Sequence, residues 1–252
     1  MTGTALITGA AKRIGRAIAL ELVNAGYDIA VHYRGSDTDA AALAREIESR
    51  GRRAALVLGD LDDEDSVLAL LPKAIDALGP VTALVNNASA FERDEALDVT
   101  RALWDRQLAV NLRAPFVLMQ EFARMLPADR EGAVVNMLDQ RVWNLSPHFV
   151  TYTLSKTGLW TLTQTMALAL APRIRVNGVG PGPVLPNERQ SSEQFRRHWS
   201  SLPLERQIQP DDVARAVRFL VEAPAVTGQM IAVDCGEHLA WVQPKRGVAP
   251  PE

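Results

Sequence analysis

Short, unbroken apolar runs alternate along this chain with longer stretches in which apolar residues recur every third or fourth position. The unbroken runs fall at 4–8, 28–33, 54–58, 81–85, 133–138, 174–179 and 230–233, and each has the length of a strand. The helical stretches are predicted at 14–25, 37–50, 63–78, 100–126, 152–171 and 211–222. Strands without polar alternation are expected where helices cover both faces of a sheet. Strands separated by helices of this length pair in parallel through right-handed crossovers.

The pattern predicts an α/β protein: a single-domain Rossmann fold over 1–243, with a seven-stranded parallel doubly wound sheet and helices on both faces. Gly and Pro fall at element ends, as in Leu78-Gly79-Pro80, so no linker divides the domain. The stretch 183–204 breaks the rhythm and is expected to form a lid-like helical excursion. The tail 244–252 holds three prolines and is expected to be loosely ordered.

Composition narrows the function. A net charge of −3 offers no basic field for nucleic acid or an anionic membrane. No apolar stretch is long enough to span a membrane, and the start of the chain lacks a signal-peptide pattern, so a cytoplasmic protein is the expectation. A lone cysteine, Cys235, excludes a disulfide framework, and His32, His148, His198 and His238 lack ligand spacing, so no metal is expected.

The chemistry gathers at two places. The first strand runs into Thr8-Gly9-Ala10-Ala11-Lys12-Arg13-Ile14-Gly15, a turn whose glycines let a pyrophosphate approach a helix amino terminus. The second strand ends His32-Tyr33-Arg34-Gly35-Ser36, without the acidic residue that would bind a free 2′-hydroxyl. Arg34 and Ser36 suit a 2′-phosphate instead, which predicts NADPH, and Arg13 is expected to meet either that charge or the substrate. Farther on, Tyr152 and Lys156 stand one helical turn apart on one face. An ammonium beside a phenol favours the phenolate, so the spacing predicts a lowered Tyr152 pKa.

These residues, with Asp60-Leu61, Asn86-Asn87-Ala88, Asn111 and Pro181-Gly182, resemble the short-chain dehydrogenase/reductase family over nearly the whole chain. The resemblance implies that Tyr152 donates the proton, that Lys156 holds the nicotinamide ribose, that Asn111 holds a relay water and that Asp60 and Leu61 flank the adenine. Three positions depart from the usual member: Arg13 replaces a glycine, Ser89 replaces a glycine, and Asp139 replaces the serine thirteen residues before the tyrosine. All three are similar to the pteridine reductase branch, including dihydromonapterin reductases, as are Asn86-Asn87-Ala88-Ser89-Ala90-Phe91 and Asn136-Met137-Leu138-Asp139. The cofactor set this implies is Gly9, Arg13, Ile14, Gly15, His32, Tyr33, Arg34, Ser36, Asp60, Leu61, Asn87, Ala88, Ser89, Tyr152, Lys156, Pro181, Gly182 and Val184. The implied substrate set is Arg13, Ser89, Phe91, Asp139 and Tyr152, with Phe91 stacked on a pterin ring. Family members usually form tetramers, which implies a homo-oligomer.

Asp139 bears on the reaction. An ionised carboxylate cannot donate a hydrogen bond to a ketone and would repel the developing oxyanion. It can accept from the amino and ring N–H groups of a pterin, or pass a proton to a ring nitrogen during reduction of a C=N bond. The expected function is therefore NADPH-dependent hydride transfer to a pterin-type substrate. Reduction of a ketone or 3-oxoacyl thioester is the alternative, and a non-catalytic NADPH-binding protein a third. Arg141, Trp143 and His148 are candidates for the pocket wall, with 184–187 on its far side; Trp143, Trp160, Trp199 and Trp241 are expected in the core or an interface.

Overall fold

The computed structural model describes residues 3–186 and 190–239. The Pro-rich tail, Asn187 and Trp241 lie outside the described residues. Seven parallel strands form one sheet: β1 (Thr4–Ile7), β2 (Asp28–Tyr33), β3 (Ala54–Leu58), β4 (Val81–Asn86), β5 (Gly132–Met137), β6 (Ile174–Pro181) and β7 (Met230–Val233). Their spatial order is β3-β2-β1-β4-β5-β6-β7. The chain winds outward from β1 to β3, then returns to β1's other side and winds the opposite way. The strand order thus reverses between β1 and β4, and a crevice opens there at the carboxyl ends of the strands.

Helices α1 (Arg13–Asn24), α2 (Asp37–Ser49) and α9 (Pro210–Glu222) cover one face of the sheet; α3 (Glu64–Leu68), α4 (Leu70–Leu78), α6 (Ala114–Met125) and α7 (Val150–Leu170) cover the other. Alternate residues of one strand serve the two layers. Ala5 and Ile7 pack with Ile18, Leu22 and Val217, whereas Leu6 between them packs with Leu70, Leu118 and Phe122. That double covering is why the strands read as continuous apolar runs. Helix α5 (Arg101–Leu108) packs on α7 beside the crevice, and α8 (Ser192–Ser200) lies within the stretch 183–204 that breaks the rhythm. A capping box between Ser191 and Gln194 starts α8.

Two predicted helices divide. The stretch 63–78 breaks at Ala69, because Pro72 has no N–H to offer Leu68 and its ring crowds that carbonyl. The stretch 100–126 widens into a π turn at Ala109–Arg113, and Asn111 lies in it.

Candidate active site

At the switch point, the turn after β1 is pressed against the turn after β4. Gly9 sits at φ +62°, and a Cβ there would stand 3.1 Å from the Ala88 Cα. At Gly15 a Cβ would fall 2.2 Å from the Gly9 carbonyl oxygen and 2.7 Å from Asn87 Nδ2. Both positions require glycine for close approach. The Thr8 hydroxyl oxygen accepts the N–H of Asn87 at 2.8 Å and that of Ala88 at 2.9 Å, while Asn87 Nδ2 donates to the Thr8 carbonyl at 2.8 Å. His32 Nδ1 accepts the Gly9 N–H at 3.0 Å, and its Nε2 lies 3.2 Å from the Gly59 carbonyl. Those partners define a neutral ring with the proton on Nε2. Burial lowers the His32 pKa to about 4. His32 therefore pins the ends of β2 and β3 to the glycine turn.

Two cavities open beside this turn. One is bordered by Lys12, Tyr33, Arg34 and Ser36, with Lys12 paired to Asp39 at 2.9 Å. The other is bordered by Asp60, Leu61, Ala88, Ser89 and Arg106. Arg34 spans the space between them, its guanidinium 3.7 Å from the Asp60 carboxyl group. Lys12 and Arg106 were not singled out in the sequence. The signal for Lys12 was its basic side chain in the glycine turn; Arg106 reaches its cavity only through the placement of α5.

The main cleft lies over the ends of β5 and β6. Asp139, two residues beyond β5, reaches toward α7, where its Oδ2 accepts the Tyr152 hydroxyl hydrogen at 2.8 Å. Lys156 donates from Nζ to the Met137 carbonyl at 2.8 Å. Burial, and then the Asp139 charge, push the Tyr152 phenol well above its ordinary range; Arg141 opposes them. This reverses the lowering expected from the Tyr152–Lys156 spacing. The charge nearest the phenol is an anion from another element, and the ammonium is turned toward a carbonyl. Burial also lowers Lys156 to about 8, against the pull of Asp139. At neutral pH the phenol holds its proton and presents it to Asp139.

An aromatic wall stands next to this pair. Phe91 stacks on Phe149 with centroids 4.8 Å apart and planes 6° from parallel, and it meets Tyr152 edge-on at 4.7 Å. Phe149 is fully buried at the left-handed cap of α7. It stands three residues before Tyr152, and that helical spacing was the available clue. Arg13 adopts φ +52° and sends its guanidinium across the cleft to the carbonyls of Pro186 (3.2 Å) and Leu185 (3.4 Å). It points away from Arg34 and toward the 185–186 segment. Ile14, Pro181, Gly182 and Val184 line the same cleft. The Asn111 side chain is committed to the loop after β4: Oδ1 accepts from the Ala90 N–H and the Ser89 hydroxyl, and Nδ2 donates to the Ala90 carbonyl and to Ser155.

Of the three candidates before Tyr152, only Arg141 borders the cleft. His148 turns away to Glu95, at 2.7 Å. Trp143 is half exposed, packed edge-on against Trp160 and His238. Trp160 and Trp199 pack partly buried against core clusters, as expected. His198 and Glu237, 2.9 Å apart, close the cleft's outer edge, and neither was foreseen as a site residue.

A family model described as enoyl-(acyl carrier protein) reductase matches residues 9–238. The chain belongs to the short-chain dehydrogenase/reductase family. Among members of known structure, an alternative dihydrofolate reductase 1 from Brucella canis, complexed with NADP, is 47% identical; the match covers 97% of each chain with a TM-score of 0.93. Its counterpart from Brucella suis, also with NADP, is 45% identical over 95% of this chain and 96% of that one, with a TM-score of 0.89. The 3-oxoacyl-[acyl-carrier-protein] reductase of Staphylococcus aureus is 33% identical over 95% of this chain and 99% of its own length. A short-chain dehydrogenase/reductase is an oxidoreductase, and this chain is one.

Proposed function

We propose that this protein is an NADPH-dependent reductase of pterin-type C=N bonds. The observation that carries the proposal is the Asp139–Tyr152 hydrogen bond of 2.8 Å inside the cleft, beside the Phe91–Phe149 pair. The cofactor fits the residues present. Gly9 and Gly15 leave the space that a Cβ would fill, at the amino terminus of α1, and Lys12, Arg34 and Ser36 border a cavity suited to a 2′-phosphate. The two Brucella relatives, whose structures hold NADP, support this reading. When bound, the cofactor supplies the hydride.

The chain's own residues supply the proton and the orientation. Tyr152 holds a proton on its hydroxyl, and Asp139 receives that hydrogen bond while facing the cleft. In the proposed reaction the pair delivers the proton to a ring nitrogen of the substrate. Phe91 offers a flat apolar surface to a planar heterocycle. Lys156 is assigned to the nicotinamide ribose, and the adenosine half to the cavity of Asp60 and Leu61. Asn111 orders the Ser89–Ala90 segment through its side chain, and the relay water remains part of the proposal. A cytoplasmic homotetramer belongs to the same reading; no helix among the described residues is long and apolar enough to cross a membrane.

Ketone or 3-oxoacyl reduction is the second reading, favoured by the likeness to the S. aureus enzyme. Following NADPH absorbance with 7,8-dihydropterin, dihydrofolate and an acetoacetyl thioester separates the two. Turnover of the pterins alone is expected, and turnover of the thioester alone would overturn the proposal. Asp139→Asn is expected to lower pterin turnover by about a hundredfold or more while NADPH binding survives; full activity in that variant would remove the aspartate's role. Light scattering on the purified protein tests the tetramer.

A further inference from the structure

Arg141 holds Asp139 from two directions, in addition to the Tyr152 hydroxyl. Its Oδ1 accepts the backbone N–H of Arg141 at 2.8 Å, which caps the short 3-10 turn Gln140–Val142. Its Oδ2, the oxygen that meets Tyr152, also lies 3.4 Å from Arg141 Nη1. The Arg141 guanidinium is itself anchored, 5.1 Å from the Phe149 ring centroid and 5.7 Å from that of Phe91. The carboxyl group turns as one plane about its last torsion, and a single backbone bond at Oδ1 holds that turn only loosely. The guanidinium closes that freedom with a charge-assisted contact, and the two rings fix the guanidinium.

We propose that Arg141 is the positioning residue of this site. It holds the Asp139 carboxyl group toward the Tyr152 hydroxyl and ties that orientation to the aromatic pair on which the substrate rests. Two parts of the site from distant stretches of chain, Phe91 and Asp139, are thereby kept in one register. The cation also opposes the rise that burial and Asp139 impose on the Tyr152 phenol. A simple capping role would need only the backbone N–H of residue 141, which any non-proline residue provides.

The kinetic half of the test rests on the pterin reductase reading. Arg141→Gln and Arg141→Lys are made in the native chain and in an Asp139→Asn background, and kcat and KM are measured for the pterin and for NADPH. Arg141→Gln is expected to lower kcat about tenfold with KM for NADPH within about twofold, and Arg141→Lys to restore part of the loss. In the Asp139→Asn background the further loss is expected to be under about twofold, because the residue acts through Asp139. Losses that multiply in the double variant would overturn the proposal. A crystal structure of Arg141→Gln gives a reading that needs no substrate. The expected result is an Asp139 carboxyl group no longer within about 3.5 Å of the Tyr152 hydroxyl; an unchanged contact would refute the positioning role. If the native protein reduces no pterin, the functional reading fails, and the crystal structure still decides the role of Arg141.

Discussion

Acidification should loosen this fold through His32. The ring accepts the Gly9 N–H and donates to the Gly59 carbonyl, so a second proton would break the first of these bonds. Its pKa lies at about 4 in the fold, against an ordinary 6.5. Between those values the unfolded chain binds a proton that the folded chain refuses, so stability rises with pH across this window. The contribution is complete above pH 6.5 and lost below about 4. At about 1.36 kcal/mol per pH unit the full effect is about 3 kcal/mol, and between pH ~7 and ~5 it is about 2 kcal/mol. His32→Gln can keep one acceptor and one donor but does not titrate. Urea unfolding of both proteins at matched protomer concentration measures the difference. The native chain's stability minus that of the variant should shrink by about 2 kcal/mol between pH ~7 and ~5. Parallel pH dependences in the two proteins would refute the reasoning, because every other titrating group is common to both. NADPH affinity of the folded protein should hold across this window and fall only as the pH drops through about 4, where the ring itself takes the proton and the bond to Gly9 is lost.

Three further outcomes follow from the site. Gly15→Ala places a methyl group against the Gly9 carbonyl and Asn87; NADPH affinity measured by fluorescence titration should fall roughly ten- to hundredfold. Arg34→Leu removes a cation from the wall of the proposed 2′-phosphate cavity, and the ratio of NADPH to NADH affinity should drop about tenfold or more; an unchanged ratio would assign the preference to Lys12. Phe91→Ala removes a stacking surface, and KM for the pterin should rise several-fold more than KM for NADPH, a difference of about 1 kcal/mol in binding; equal changes would make Phe91 a packing residue.

The architecture was readable because its cause is local. A strand covered on both faces must be apolar at every position, so Ala5-Leu6-Ile7 identifies itself and implies the helices on either side. The Tyr152–Lys156 spacing and the two glycines were readable for the same reason. What escaped depends on distant partners. The sign of the Tyr152 shift follows from burial in the folded site and then from Asp139, which arrives from the end of β5, and the direction of Arg13 follows from where Leu185 and Pro186 lie. Phe149 reads as an ordinary core residue until Phe91 is found against it. The split at Ala69 had a local cause in Pro72, and the helical period concealed it.

Arg13 rises from the turn of the proposed cofactor site, and its guanidinium grips the strand-end segment that walls the other half of the cleft. A guest in either half would meet that shared strut. Thermodynamic linkage makes any such influence mutual: whatever the first guest contributes to the affinity of the second, the second returns to the first.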